Sequence, residues 1–306
     1  MKEQNLKFDV PGQSKDLIRV CETAYHDAVE RVGNQICERP GLRFLTLAGP
    51  TCSGKTTTAQ ILERHLERRE KRLEVISLDD FFRDSSHVDR STAARSGGEV
   101  DYDSPDALDI PCLEESLKRI CNMQTAELPV FDFRTGKRAG SRTFDPASCD
   151  LILFEGIQAV FPSVFALFAP EQTYRIYISV AKTLRVNGTV FTPRTVRLIR
   201  RIVRDYKFRC AEPEFTLYLW KSVTDNEDKY ILPNAHRADI CIDSLLAYEI
   251  NAVRDILLPI LAHVGEDSPY SETARELERA VEPLASLDCS LIPDDSLFRE
   301  FIGPRM

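Results

Sequence analysis

Residues Ala48 to Thr58 read Ala-Gly-Pro-Thr-Cys-Ser-Gly-Lys-Thr-Thr-Thr, and no other stretch restricts the fold as much. Gly49, Gly54, Lys55 and Thr56 match the phosphate-loop spacing GxxxxGKT. The apolar run Phe44 to Ala48 ahead of it reads as a buried strand, and Ala59, Ile61, Leu62 and Leu66 behind it recur at helical intervals. A strand, a glycine turn and a helix N-terminus in that order bring backbone N–H groups around an anion. Gly49, Ser53, Gly54, Lys55, Thr56 and Thr57 are therefore candidate polyphosphate contacts. Lys55 supplies a point charge, and the Thr56 hydroxyl is a hard oxygen ligand suited to Mg²⁺.

Further apolar runs supply the rest of a sheet: Leu73 to Leu78, Asp150 to Gly156, Tyr174 to Val180 and Ala238 to Asp243. Strands alternating with helices predict an α/β fold, a parallel sheet with helices on both faces. The segment Asp16 to Glu38 carries an apolar stripe at helical spacing and predicts a helix beside the first strand. The 306 residues divide into an N-terminal helical segment over 1–40, a phosphate-loop domain over 41–262 and a helical extension over 263–306 packed against it. In that extension Ala274, Leu277, Ala280, Val281, Leu284 and Leu287 fall at helical intervals.

A net charge of −8 without a dominant basic run argues against a nucleic-acid binder. The start lacks an apolar leader, and the best apolar stretch, Ala159 to Ala169, is short and interrupted by Pro162, so no membrane association is expected. Nine cysteines, none in a CxxC pair and one inside the phosphate loop, fit a reducing cytoplasm.

Carboxylates at the C-terminal ends of parallel strands face the ligand side of such a sheet. Asp79 and Asp80 follow the second run, and Glu155 ends the third. Phosphoryl transfer needs one acid to orient the attacking hydroxyl and another to complete the Mg²⁺ shell. Asp79 is the candidate base, with Asp80 as competitor and helix capping as the plainer role; Glu155 is the candidate metal acid. Between the fourth and fifth runs lies Arg194 to Arg209. At 100° per residue Arg197, Arg201 and Arg204 share one helix face, while Ile199, Ile202, Val203 and Tyr206 share the other. The first face is expected to stay open for anions and to stabilise a transferring phosphoryl group, the plainer role being a solvated face paired with acids elsewhere; Asp205 alone lies nearby in sequence as a helical partner. The polar stretch Arg83 to Val100 reads as a long binding loop, Ser104-Pro105 as a helix start, and Leu128 to Phe144 as a hairpin that lines an acceptor pocket or is simply a surface element.

These residues together resemble the uridine kinase and phosphoribulokinase family of phosphate-loop kinases. The resemblance rests on the loop, Ser77-Leu-Asp-Asp-Phe-Phe82, Tyr102-Asp103 with Pro105-Asp106, Phe131-Asp-Phe133, Phe154-Glu-Gly-Ile157 and Arg197 to Asp205. Thr135 to Arg138, Trp220 to Val223, Lys229 to Pro233 and Arg299 to Gly303 are similar to the bacterial uridine kinase-like branch that carries a threonyl-tRNA-synthetase-like N-terminal region, a half expected to be absent here. The resemblance implies a five-stranded parallel sheet with an Arg-rich lid. It implies Lys55, Asp79 and Arg204 in catalysis, Arg204 and Arg209 on ATP, and Thr56 and Glu155 on Mg²⁺. It implies acceptor contacts from Phe82, Tyr102, Asp103, Phe131, Arg138 and Arg201, with Asp103 and Arg201 on a ribose diol.

Two positions depart from the family. Phe131 and Gly136 stand where uridine and cytidine kinases read the pyrimidine with a Tyr and a His, and Arg209 is followed by Cys210-Ala211 in place of a second lid arginine. The expected activity is ATP- and Mg²⁺-dependent phosphorylation of a small-molecule hydroxyl, foremost a nucleoside 5′-hydroxyl. A different polyol or sugar phosphate, or an ATP-binding regulator without turnover, are the alternatives. Homo-oligomers are compatible with the sequence.

Overall fold

A computed structural model describes residues 3–6, 13–87 and 101–305, so most of the long polar loop expected over Arg83 to Val100 lies outside the described residues. In chain order the strands are β1 (Glu3–Leu6), β2 (Phe44–Ala48), β3 (Leu73–Ser77), β4 (Ala126–Asp132), β5 (Lys137–Phe144), β6 (Leu151–Glu155), β7 (Thr173–Ser179), β8 (Thr183–Val186), β9 (Thr189–Phe191) and β10 (Ile240–Asp243). Five of them form the predicted parallel sheet, in the order β10-β7-β2-β6-β3.

Alternation within those strands explains the layers. Leu45, Leu47, Leu153, Ile176 and Ile178 point into one core, while Phe44, Ile152, Phe154 and Tyr177 point into the other. Both faces are apolar, so helices must cover both. The first face carries α1 (Gln13–Cys37), α2 (Lys55–Glu67), the arginine helix Pro193–Arg209, and helices Glu249–Leu261 and Ser271–Val281. Helix Ile110–Cys121 and the antiparallel β4–β5 hairpin close the second. Among the described residues no helix is long and apolar enough to cross a membrane.

Register then brings the ligand side together. Glu155 pairs with Leu47 on one side and with Ser77 on the other, so the loops leaving β2, β3 and β6 emerge side by side. β1, β8 and β9, absent from the sequence reading, form a separate three-stranded sheet. The helix expected at Ser104-Pro105 is a single 3₁₀ turn over Pro105–Ala107; the α-helix starts at Ile110, where the Asp109 side chain accepts the Cys112 N–H. The C-terminal helix ends at Val281, ahead of Pro283, and the Leu284 and Leu287 side chains reach the core from irregular backbone.

The arginine helix differs from expectation in its charge. Arg197 is buried rather than open to anions, with both Glu227 oxygens 2.6 Å from its Nη2. Arg200, equally buried, donates to both oxygens of Glu249 at 2.6 and 2.9 Å. Both acids lie far along the chain, so a search for helical-spacing partners could not find them. Removing one partner strands a charge in the core. Glu249→Ala is expected to lower the unfolding free energy by about 3–5 kcal/mol. Glu272→Ala, at the exposed pair with Arg279, is expected to cost less than about 1 kcal/mol. Urea titration of both variants checks the contrast.

Candidate active site

The loop between β2 and α2 is built on glycines that nothing larger could replace. A Cβ on Gly49 would lie 2.1 Å from the Ile178 carbonyl oxygen, and Gly54 has φ +91 with the Leu297 side chain 2.2 Å from where its Cβ would be. Lys55 Nζ folds back onto the Gly49 and Pro50 carbonyls at 3.0 and 3.4 Å. The Ser53 hydroxyl is buried without a hydrogen-bond partner, which suits a loop built to surround a polar ligand.

This loop forms one wall of a cavity of about 900 Å³. Of the residues expected from sequence, Ser53, Gly54, Lys55, Thr56, Asp79, Phe82, Tyr102, Asp103, Glu155, Arg201, Arg204 and Arg209 line it, whereas Thr57 does not, its N–H and hydroxyl being covered by Glu300. Gly49 supports the loop from behind, with Ile178 against it. The two acids after β3 part ways. Asp79 faces the cavity and accepts the Gln158 amide N–H at 2.9 Å, whereas Asp80 accepts the Phe131 backbone N–H at 3.2 Å and ties the turn to the hairpin. Burial pushes the Asp79 carboxyl above the usual aspartate range, opposed by the Gln158 hydrogen bond and the Lys55 charge. Asp103 is pushed up to about 6 by desolvation, against the pull of Arg201.

Three guanidinium groups converge on one carboxylate. Arg201, Arg204 and Arg209 lie 3.3, 2.7 and 3.5 Å from the Asp205 oxygens. One acid cannot neutralise three cations, so the cluster presents net positive charge to the cavity. Desolvation, followed by repulsion from Arg204, lowers the Arg209 pKa.

The acceptor side departs from expectation at two residues. Phe131 is not on the cavity wall; it is 8% exposed and packs edge-on against Phe82, Tyr102 and Phe133, while Phe133, 56% exposed, lines the cavity. Phe133 has the same parity as Phe131, but the chain leaves β4 after Asp132, so strand alternation no longer sets where Phe133 points. Arg138 faces away too, donating to the Phe82 carbonyl at 3.2 Å and to Asp109 at 2.9 Å. It braces the hairpin against the segment that carries Phe82. Sequence reasoning missed Gln158, which follows the Glu155-Gly156 strand end without any motif of its own, and Glu300, which lines the cavity from the far end of the chain.

Glu155 and Thr56 line the same cavity. Burial raises the Glu155 carboxyl, whose one direct hydrogen-bond donor is the Ser77 hydroxyl at 3.1 Å. A largely desolvated acid beside a hydroxyl is a fitting partial shell for Mg²⁺, which takes one or two protein oxygens and fills the remainder with phosphate and water. Among the described residues no cluster of three or more His, Cys, Asp or Glu could hold a metal by itself, in keeping with a shell completed by substrate.

The chain is similar to known kinases. The model of the phosphoribulokinase / uridine kinase family matches residues 44–251. Uridine-cytidine kinase B of Dictyostelium discoideum is 31% identical over 76% of this chain and 85% of its own length. A uridine kinase of Lactobacillus johnsonii is 29% identical over 65% of this chain and 85% of its own. Among solved structures, a possible uridine kinase from Bacillus stearothermophilus is 19% identical, covering 71% of this chain and 98% of that one, with a TM-score of 0.48. The matched region runs from the first strand of the phosphate loop through the arginine helix, and the chain belongs to the phosphoribulokinase and uridine kinase family, as a kinase of small-molecule hydroxyl groups.

Proposed function

We propose that the chain transfers the γ-phosphoryl group of ATP to the 5′-hydroxyl of a nucleoside. The observation that carries this reading is the convergence of Lys55, Thr56, Asp79, Asp103, Glu155 and the arginine cluster on one cavity. Lys55 and the loop amides would hold the β- and γ-phosphates in line with the acceptor. Asp79, fixed by Gln158, would accept or orient the proton of the attacking hydroxyl. Arg201, Arg204 and Arg209 would stabilise charge on the phosphoryl oxygens from the cavity wall, acting as a lid. Mg²⁺, on Thr56 and Glu155, would supply charge neutralisation between the phosphates.

A carboxylate can accept two hydroxyl hydrogens at once, which suits Asp103 to a ribose diol. Asp103 is placed by its neighbour: Asn226 Nδ2 donates to both Asp101 oxygens at 2.8 and 2.7 Å, and Asp101 accepts the Asp103 N–H at 3.1 Å. Phe82, Tyr102 and Phe133 offer an aromatic wall for a flat base. Among the described residues that wall presents aromatic rings and no side-chain amide or imidazole, which favours recognition by shape and stacking. The likeness to the branch with a synthetase-like N-terminal region is part of the same proposal and rests on Trp220 to Val223 and Arg299 to Gly303.

ADP release from Mg-ATP, assayed against nucleosides, sugars and sugar phosphates with Lys55→Ala as the blank, should be greatest with a pyrimidine nucleoside. Release with a sugar phosphate alone would reassign the acceptor, and ATP binding without release for any acceptor would overturn the reading. Asp79→Asn should keep ATP affinity and lose at least about a hundredfold in kcat.

The pH dependence separates the two acids. Asp103, raised to about 6 in the cavity, loses its charge as the pH falls through that value. Acceptor KM should therefore rise between pH 7 and pH 5, by up to roughly tenfold per unit below the pKa. Asp103→Asn should flatten that rise, while the fall in kcat contributed by Asp79 stays.

A further inference from the structure

The donor half of the cavity holds an unexpected carboxylate, and its meaning rests on the kinase reading above. The first N–H groups of α2 have no carbonyl one turn back. The Thr58 N–H recovers one in Gly54, at 3.0 Å. Thr57 does not: its N–H donates to Glu300 Oε2 at 3.3 Å, and its hydroxyl donates to the same oxygen at 2.9 Å. An anionic group thus sits on the helix N-terminus and lines the cavity, where a phosphate loop offers its donors to the nucleotide.

Glu300 comes from outside residues 44–251, the part matched by the family model. It is delivered by the short turn Arg299–Ile302, wedged between the loop and the arginine helix by contacts that do not use it. The Arg200 guanidinium lies 4.9 Å from the Phe301 ring centre, Lys207 Nζ donates to the Ile302 carbonyl at 2.6 Å, and Arg299 Nη2 donates to the Cys289 and Ile292 carbonyls at 2.8 and 2.6 Å. The turn is held without Glu300, whose side chain is only partly buried.

We propose that Glu300 is a donor-site residue: its carboxylate occupies the Thr57 donors until a nucleotide phosphate displaces it, so that the C-terminal turn sets affinity for the donor. The two anions cannot share those donors, since a second negative charge at contact distance would repel the first. The geometry makes Glu300 an intramolecular competitor of the nucleotide, built from a segment that only this part of the chain supplies.

The test is the dissociation constant of ADP, by titration calorimetry, for the wild-type chain, Glu300→Ala, Glu300→Gln and Lys55→Ala. Glu300→Ala should bind at least about fivefold tighter, about 1 kcal/mol. Glu300→Gln should fall between it and wild type, because the amide keeps an acceptor for Thr57 but no charge; it also preserves the test should the alanine variant not fold. Inorganic tripolyphosphate should show the same gain, since the competition is for phosphate donors. Unchanged affinity in both variants overturns the proposal. So does weaker ADP binding with tripolyphosphate unaffected, which would assign Glu300 to the nucleoside. Binding lost in Lys55→Ala but indifferent to Glu300 refutes this inference alone, whereas binding indifferent to Lys55 as well refutes the kinase reading with it.

Discussion

Two buried guanidinium groups fix the phosphate loop from behind, and the rest of the site depends on them. Arg197 donates to the Thr51 carbonyl at 3.3 Å and Arg200 to the Cys52 carbonyl at 3.1 Å, while Glu227 and Glu249 neutralise their charges. A peptide's two polar groups point opposite ways, so turning the Thr51 carbonyl to Arg197 turns the Cys52 N–H away from it. Burying two cations is costly unless each is paired and fully hydrogen-bonded. Arg200 meets that condition with its Glu249 pair and further donation to Ser244, its Nη2 lying 2.7 Å from the Ser244 carbonyl oxygen. A loop made largely of glycine and small residues has few side-chain contacts of its own, and this brace supplies the rigidity.

The brace is linked to the acceptor side through one helical irregularity. Helix Pro213–Asn226 runs into a π-turn over Glu227–Ile231. Its two junction residues serve different halves of the cavity: Asn226 holds Asp101 beside Asp103, and Glu227 holds Arg197 behind the loop. A regular α-helix would set consecutive side chains about 100° apart and carry the pattern on unchanged. The π-turn alters that spacing where both contacts are made, in keeping with the frequent occurrence of such turns at functional sites.

How much of this could be read from sequence follows from the range of each interaction. The five sheet strands were legible because each is a short apolar run ending in a functional residue or a turn, and burial on both faces leaves a continuous signal. The meeting of the phosphate loop, Asp79 and Glu155 on one cavity was legible because a parallel sheet brings the C-terminal ends of its strands together. The Arg197 and Arg200 pairs were not, since their acids are 30 and 49 residues away and nothing local marks them. Phe131 and Phe133 share strand parity, so periodicity could not tell which of them reaches the cavity; the end of β4 after Asp132 separates them. The β8–β9 hairpin did carry a signal, Asn187-Gly188 with φ of 49 and 90, but its strands are only four and three residues long. Gln158 follows a strand end without a motif of its own, and Glu300 lies in Arg299 to Gly303, a stretch whose likeness to the family branch marked no role in the cavity; only the folded chain brings both there.

The arginine cluster on Asp205 also bears on how the site meets its ionic surroundings. A chain of net charge −8 attracts polyanions only through a local field, and mobile ions screen such a field within about 10 Å at 0.1 M salt when it lies on an open surface. Arg201 and Arg204 are 12% and 13% exposed, so most of their field passes through protein rather than electrolyte, while Arg209, 59% exposed, stands at the mouth. Attraction of anions at the rim would then weaken with ionic strength, while that of the largely buried Arg201 and Arg204 guanidinium groups would persist at high and low salt alike.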